Sequence, residues 1–138
     1  MSSVKAAVPV LWVKDVAHSL AWYKRILGFD GDGFPPHPPH GFGILRLNDV
    51  EIMLQCAEIP VPRTPHPYEW NVYLRLEGVN MRELHTKLAG LGIVTRRLER
   101  MPYGQIEFEI ADPDGYVIVL SQEPNENEDM SDIPTPQG

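Results

Sequence analysis

Cysteine is nearly absent from this chain. A lone Cys56 cannot close an internal disulfide, so packing must hold the fold, and a reducing cytoplasm is the expected compartment. Long apolar runs are missing as well. Uninterrupted apolar stretches reach only a few residues, far short of the roughly 20 that a membrane-spanning helix needs. The opening Met1-Ser2-Ser3-Val4-Lys5 lacks the apolar core of a signal peptide. Basic residues are scarce, 12 against 19 acidic, for a net charge of −7. No basic patch forms, so neither nucleic acid nor a membrane is an expected partner.

What is present fits one soluble globular domain. The chain has 138 residues, 43% apolar and 22% charged, ordinary values for a packed core. Charge is unevenly placed. The stretch from Pro124 to Gly138 holds Glu126, Glu128, Asp129 and Asp132, and no Lys or Arg. With three prolines and almost no large apolar side chains, residues 124–138 are expected to form a flexible acidic tail, leaving residues 1–123 as the domain.

Those residues read as two similar halves, about 6–58 and 70–123. The first opens on the β-branched and aromatic run Ala7–Val13. Asp15 stands at a helix N-cap, and Val16, Leu20, Tyr23 and Leu27 recur at helical spacing. Gly28 is the stop. A polar, proline-rich connection follows through Pro35–His40, then strands over 42–47 and 50–56 joined by the turn Asn48-Asp49. The second half repeats the order: a strand over 71–76, a helix capped by Asn80 with Glu83 at its third position, strands near 94–98, 105–111 and 116–122, and the turn Asp112-Pro113-Asp114-Gly115. Leu27-Gly28 matches Leu91-Gly92 and Leu54 matches Leu120, which marks a duplicated βαβββ unit. Four prolines between Pro60 and Pro67 suit a crossing segment between the halves.

Alternation along the strands separates two faces. Val72, Leu74 and Leu76 lie on one face, with Asn71, Tyr73 and Arg75 on the other. Ile106, Phe108 and Ile110 oppose Gln105, Glu107 and Glu109, and Ile52 and Leu54 oppose Glu51, Met53 and Gln55. The apolar faces call for helices. The mixed faces are either solvated or, if two such sheets curve toward each other, the walls of a cup. Other candidate chemistry is thin. His37 and His40 share a proline-rich loop without a third ligand, as does His66 in another. Ser19 and Ser121 have no partnering His, and Cys56 reads as an inert thiol.

The run Val13-Lys14-Asp15-Val16, followed by Ala21-Trp22-Tyr23 and Leu27-Gly28-Phe29, and the closing Asp112-Pro113-Asp114-Gly115-Tyr116 resemble the vicinal oxygen chelate superfamily of glyoxalase I, extradiol dioxygenases and bleomycin-resistance proteins. Pro9, Gly43–Arg46 and Val50–Ile52 lean toward the bleomycin-resistance branch. The resemblance implies an α+β fold of duplicated βαβββ units whose curved sheets form a cup. It also implies a divalent metal held by His, Glu or Gln side chains. Carried over one at a time, those ligand positions fall on Val8, Asn71 and Val119, with a fourth near Met53. Two aliphatic side chains have no lone pair to give, and Asn is a poor ligand for transition metals. The expectation is therefore a site with no metal and no cofactor. A small organic ligand, antibiotic-like or other, would meet Trp12, Met53, Asn71, Tyr73, Arg75, Glu107 and Glu109, with Arg75 as the cation of the cup. The alternative is a lyase or dioxygenase of the same superfamily acting on a small oxygenated substrate, with displaced ligands or with Glu107 or Glu109 as base. Relatives of this kind complete their cups by pairing, within one chain or between chains, and a homodimer is expected.

Overall fold

The computed structural model describes residues 2–59 and 62–137. Pro60, the first proline of the expected crossing segment, lies outside them. The chain divides into two units, Met1–Pro62 and Arg63–Gly138, each a βαβββ module with one open four-stranded sheet.

In the first unit, β1 (Val10–Val13) leads into α1 (Val16–Leu27), then β2 (Asp30–Phe34), β3 (Phe42–Leu47) and β4 (Val50–Cys56). The sheet order is β1-β4-β3-β2, with β1 parallel to β4 and the other pairs antiparallel. The helix begins where its cap dictates. Asp15 is extended, and its side chain accepts a hydrogen bond from the His18 amide at 3.0 Å, satisfying one orphan donor of the first turn. Gly28 ends it in the left-handed region, at φ 80°, and Lys24 and Arg25 fill the last turn. Val16, Trp22, Tyr23 and Ile26 of the helix are buried, as are Leu11, Val13, Leu45, Ile52 and Leu54 of the sheet, and α1 lies against β2, β3 and β4.

The polar connection expected after Gly28 contains a strand instead. Asp30–Phe34 pairs along its whole length with β3, although Asp-Gly-Asp-Gly-Phe has poor strand propensity. Clearance explains it. A Cβ on Gly31 would lie 2.8 Å from the Leu20 side chain and 2.9 Å from the Ile44 carbonyl. Only glycine lets this edge strand pass that close beneath α1.

The second unit repeats the plan with β5 (Val72–Leu76), α2 (Met81–Gly90), β6 (Val94–Arg100), β7 (Ile106–Ala111) and β8 (Val117–Gln122). The order is β5-β8-β7-β6, again with a parallel outer pair. Asn80 caps α2 by accepting from the Glu83 amide at 3.1 Å. His85 meets the edge of Phe108 at 5.2 Å, which places α2 over the Ile106, Phe108 and Ile110 face. The turn before β8 is tied by Asp112, whose side chain accepts from the amides of Asp114 and Tyr116. Gly115 sits at φ 83°, where a Cβ would strike the Arg63 carbonyl.

The expected free tail is a correction. Residues 125–134 dock on the second unit: Ile133 is 2% exposed, and Arg100 holds the Ile133 carbonyl with its Nε and the Pro134 carbonyl with its amide. Arg82 on α2 reaches Glu128, both oxygens of Asp132 and the Asp129 carbonyl. Composition alone hid this, because one buried isoleucine and two arginines from the body suffice to hold the segment. The Arg82 guanidinium holds the Asp132 carboxyl below its ordinary value of 3.8. A carboxyl depressed in the folded state stabilises above its unfolded pKa and loses that contribution as pH falls through the folded value. Backbone amides at 129–133 should therefore exchange faster with solvent as pH drops below about 4, which NMR hydrogen exchange, corrected for intrinsic rates, would record. A tail as protected at pH 3 as at pH 7 would contradict this.

Candidate functional site

The helix-free face of the second sheet carries the densest chemistry in the described residues. Tyr73 on β5, Val119 on β8 and Glu109 on β7 are register neighbours, and Glu107 and Ser121 pair one step along. β6 completes the face with Arg96 and Glu99. Three residues apart, these two would point to opposite faces of a regular strand. Register shifts between Val94 and Arg96, and between Arg96 and Glu99, bring both to the same side.

Arg96 is the hub. Its Nε meets Glu109 at 2.5 Å, one terminal amine meets Glu99 at 2.9 Å and the other meets Glu107 at 3.1 Å. Glu107 and Glu109 have no solvent exposure, and Arg96 and Glu99 have very little. Aromatic donors close the remaining positions. Tyr103 donates to Glu107 at 2.6 Å, and Tyr73 donates to its other oxygen at 2.7 Å. Trp70 Nε1 and the Tyr68 amide donate to Glu109, and the Tyr68 hydroxyl to Glu99. Ser121 Oγ stands 2.8 Å from the Tyr73 hydroxyl and 3.2 Å from Gln105 Oε1. Arg96 also stacks on the Tyr68 ring at 4.7 Å.

Every carboxylate oxygen here has a partner, as buried charge requires. Burial works against the charge of Arg96, but Glu109 and Glu99 outweigh it and raise its pKa above the ordinary value. Burial, helped by Glu107, pushes the hydroxyls of Tyr103 and Tyr73 up. Burial and Glu99 do the same to Tyr68. The phenols stay protonated and keep donating. Formally, three carboxylates face Arg96 and the more exposed Arg97, which reaches Glu99 at 3.6 Å, so the floor of this face keeps a net negative charge. Around it, Trp70 is 42% exposed, Tyr68 47% and Tyr103 51%. A saturated polar floor with accessible aromatic edges is equipped to bind and orient. It is poorly equipped to move protons, because none of its carboxylates is free to take one.

Of the residues singled out from sequence, the structure brings Tyr73, Glu107 and Glu109 together. The carboxylates are buried in ion pairs rather than solvated. Asn71 and Arg75 stand apart from the cluster. The Asn71 side chain accepts from the Val117 amide at 2.8 Å and fastens the start of β5 to β8. Arg75 is exposed, its guanidinium 5.6 Å from the Tyr73 ring centroid. The cation of this face is Arg96, not Arg75. Trp12 and Met53 lie on the helix-free face of the first sheet, two register positions apart on β1 and β4. Val8 precedes β1, and Val119 is fully buried in mid-strand. Arg96, Tyr68 and Tyr103 were not singled out. The available signal was Arg96-Arg97-Leu98-Glu99 one hairpin away from Glu107-Phe108-Glu109, which antiparallel pairing sets opposite each other.

The comparisons bear on this geometry. Residues 5–120 match the model of the Glyoxalase/Bleomycin resistance protein/Dioxygenase superfamily. The chain belongs to that superfamily. No curated protein sequence matches it. Among solved structures of the same fold, a superfamily member from Sphaerobacter thermophilus is 21% identical, with a TM-score of 0.69 over 89% of this chain and 100% of its own. TioX from Micromonospora sp. is 17% identical, with a TM-score of 0.69 over 88% of this chain and 100% of its own. The virulence protein STM3117 of Salmonella typhimurium is 22% identical, with a TM-score of 0.64 over 90% of this chain and 100% of its own.

Proposed function

We propose that this chain is a metal-free small-molecule-binding member of the superfamily, working as a homodimer and holding an organic ligand against the aromatic rim of the second sheet. The observation that carries the reading is the Arg96 cluster: a buried, fully partnered and net negative floor beneath the exposed edges of Trp70, Tyr68 and Tyr103. Such a surface suits a planar organic cation, which stacks on the rings while the carboxylates supply the field. The donor set does not suit a metal. Val8 and Val119 have no lone pair, and the Asn71 oxygen is already taken by the Val117 amide. The lyase or dioxygenase alternative lacks both this ligand set and an unpaired Glu107 or Glu109 to serve as base.

Support for pairing comes from the first unit, where Val10, Trp12 and Phe34 on the helix-free face are each about half exposed, more apolar surface than a lone sheet face usually leaves to water. Light scattering after gel filtration should give about twice 15.6 kDa, and a monomer at tens of micromolar would remove the dimer from the proposal.

The binding test is titration with a panel of planar organic cations, read by tryptophan fluorescence and thermal shift. At least one should bind saturably, with affinity unchanged by EDTA. Trp70→Ala should weaken it about three- to tenfold, the worth of one aromatic contact. Stoichiometric zinc, nickel, iron or manganese in the purified protein, or binding abolished by EDTA, would refute the metal-free reading.

A further inference from the structure

The docked tail builds a second cavity that the proposed ligand face does not use. It lies at the end of the β6–β7 hairpin, with a volume of about 570 Å³, inside the range of small-molecule pockets. One wall comes from the hairpin through Met101, Pro102 and Ile106, the other from the tail through Met130, Thr135 and Pro136. Most of that lining is apolar. Gln105, at the turn, is tied to Ser121. Among the described residues of the lining, the only ionisable side chain is Arg100.

Arg100 spends its Nε on the Ile133 carbonyl and its amide on the Pro134 carbonyl. Its two terminal amines meet no described residue. In a chain of net charge −7, an apolar pocket whose single charge is a half-buried guanidinium with two open donors stands out. A guanidinium fork matches a carboxylate in a bidentate arrangement, and the apolar walls match a hydrocarbon chain or ring.

We infer that this cavity is a binding site for a small apolar monocarboxylate, its chain between the hairpin and the tail and its carboxylate on Arg100. Recognition splits into two parts. Burial of the chain supplies affinity without regard to the headgroup, and Arg100 discriminates a carboxylate from a neutral alcohol of the same length. The tail is part of the site, so its docking and ligand binding are linked, and the ligand stabilises the docked form.

The test is titration of the full chain with octanoate and, in parallel, 1-octanol, followed by amide chemical shifts. Octanoate should saturate one site, shift the amides of Gly104 and Thr135, and leave the Trp70 indole in place. Octanol should bind at least tenfold more weakly. Arg100→Gln should remove that preference. Because Arg100 also holds the tail, Thr135→Trp provides an independent check. Thr135 is exposed, and an indole there would fill the cavity, so octanoate binding should be lost while Ile133 keeps its amide protection. Equal binding of octanol and octanoate, octanoate shifts centred on Trp70, or undiminished binding in Thr135→Trp would each overturn the inference.

Discussion

Replacing Arg96 with methionine should destabilise the second unit by about 3–5 kcal/mol, the usual cost of stranding one side of a buried ion pair. Three carboxylates with almost no exposure would face one another without their common cation, and mutual repulsion would force them to take up protons or drag in water. Urea denaturation at pH 7 measures the loss. Adding Glu107→Gln and Glu109→Gln to the Arg96→Met chain should return part of it, because the stranded charge rather than the missing contact area carries the penalty. Either change alone in the native background should destabilise, since each removes a partner from Arg96. An Arg96→Met protein as stable as the native one would mean that these carboxylates are solvated after all.

Ending the chain after Glu123 should cost about 2–3 kcal/mol, chiefly the burial of Ile133. For a chain of this size that is a fall of roughly 8–12 °C in Tm. Ile133→Ala in the full chain should reproduce most of the effect. Asp132→Asn should do far less, because Asp132 is open to solvent and water screens its bond to Arg82. Calorimetry of the three proteins would rank them. A truncated chain melting within a degree or two of the intact one would mean that the tail only rests on the surface.

The parts of this fold that were readable in advance are those governed by one residue acting locally. Asp15, Gly28 and Asn80 cap helices as their chemistry requires, and the Asp112–Gly115 turn closes as its composition indicates. Apolar alternation in β5 and β7 assigned both faces correctly. What escaped depended on partners distant in sequence. β2 is a strand because Leu20 and Ile44 leave room for nothing beyond glycine, a fact about tertiary clearance. The tail docks because Arg82 and Arg100 reach for it. Arg96 reaches the site only through irregular pairing in β6, so strict alternation places Glu99 on the wrong face. For the site this left Tyr73, Glu107 and Glu109 visible, and hid the cation that organises them.

The parallel outer pair of each sheet sets a timetable for synthesis on the ribosome. β1 has no hydrogen-bonding neighbour until β4 exists, since Val10 pairs with Met53 and Val13 with Cys56. β5 waits in the same way for β8, where Val72 meets Ile118. The first strand of each module therefore emerges as an unpaired β-rich segment and is closed over by the last, the kind of long-range contact that slows folding. The first module can complete itself while the second is still being translated. The second finishes later, because β8 is followed by the segment that brings Ile133 into place.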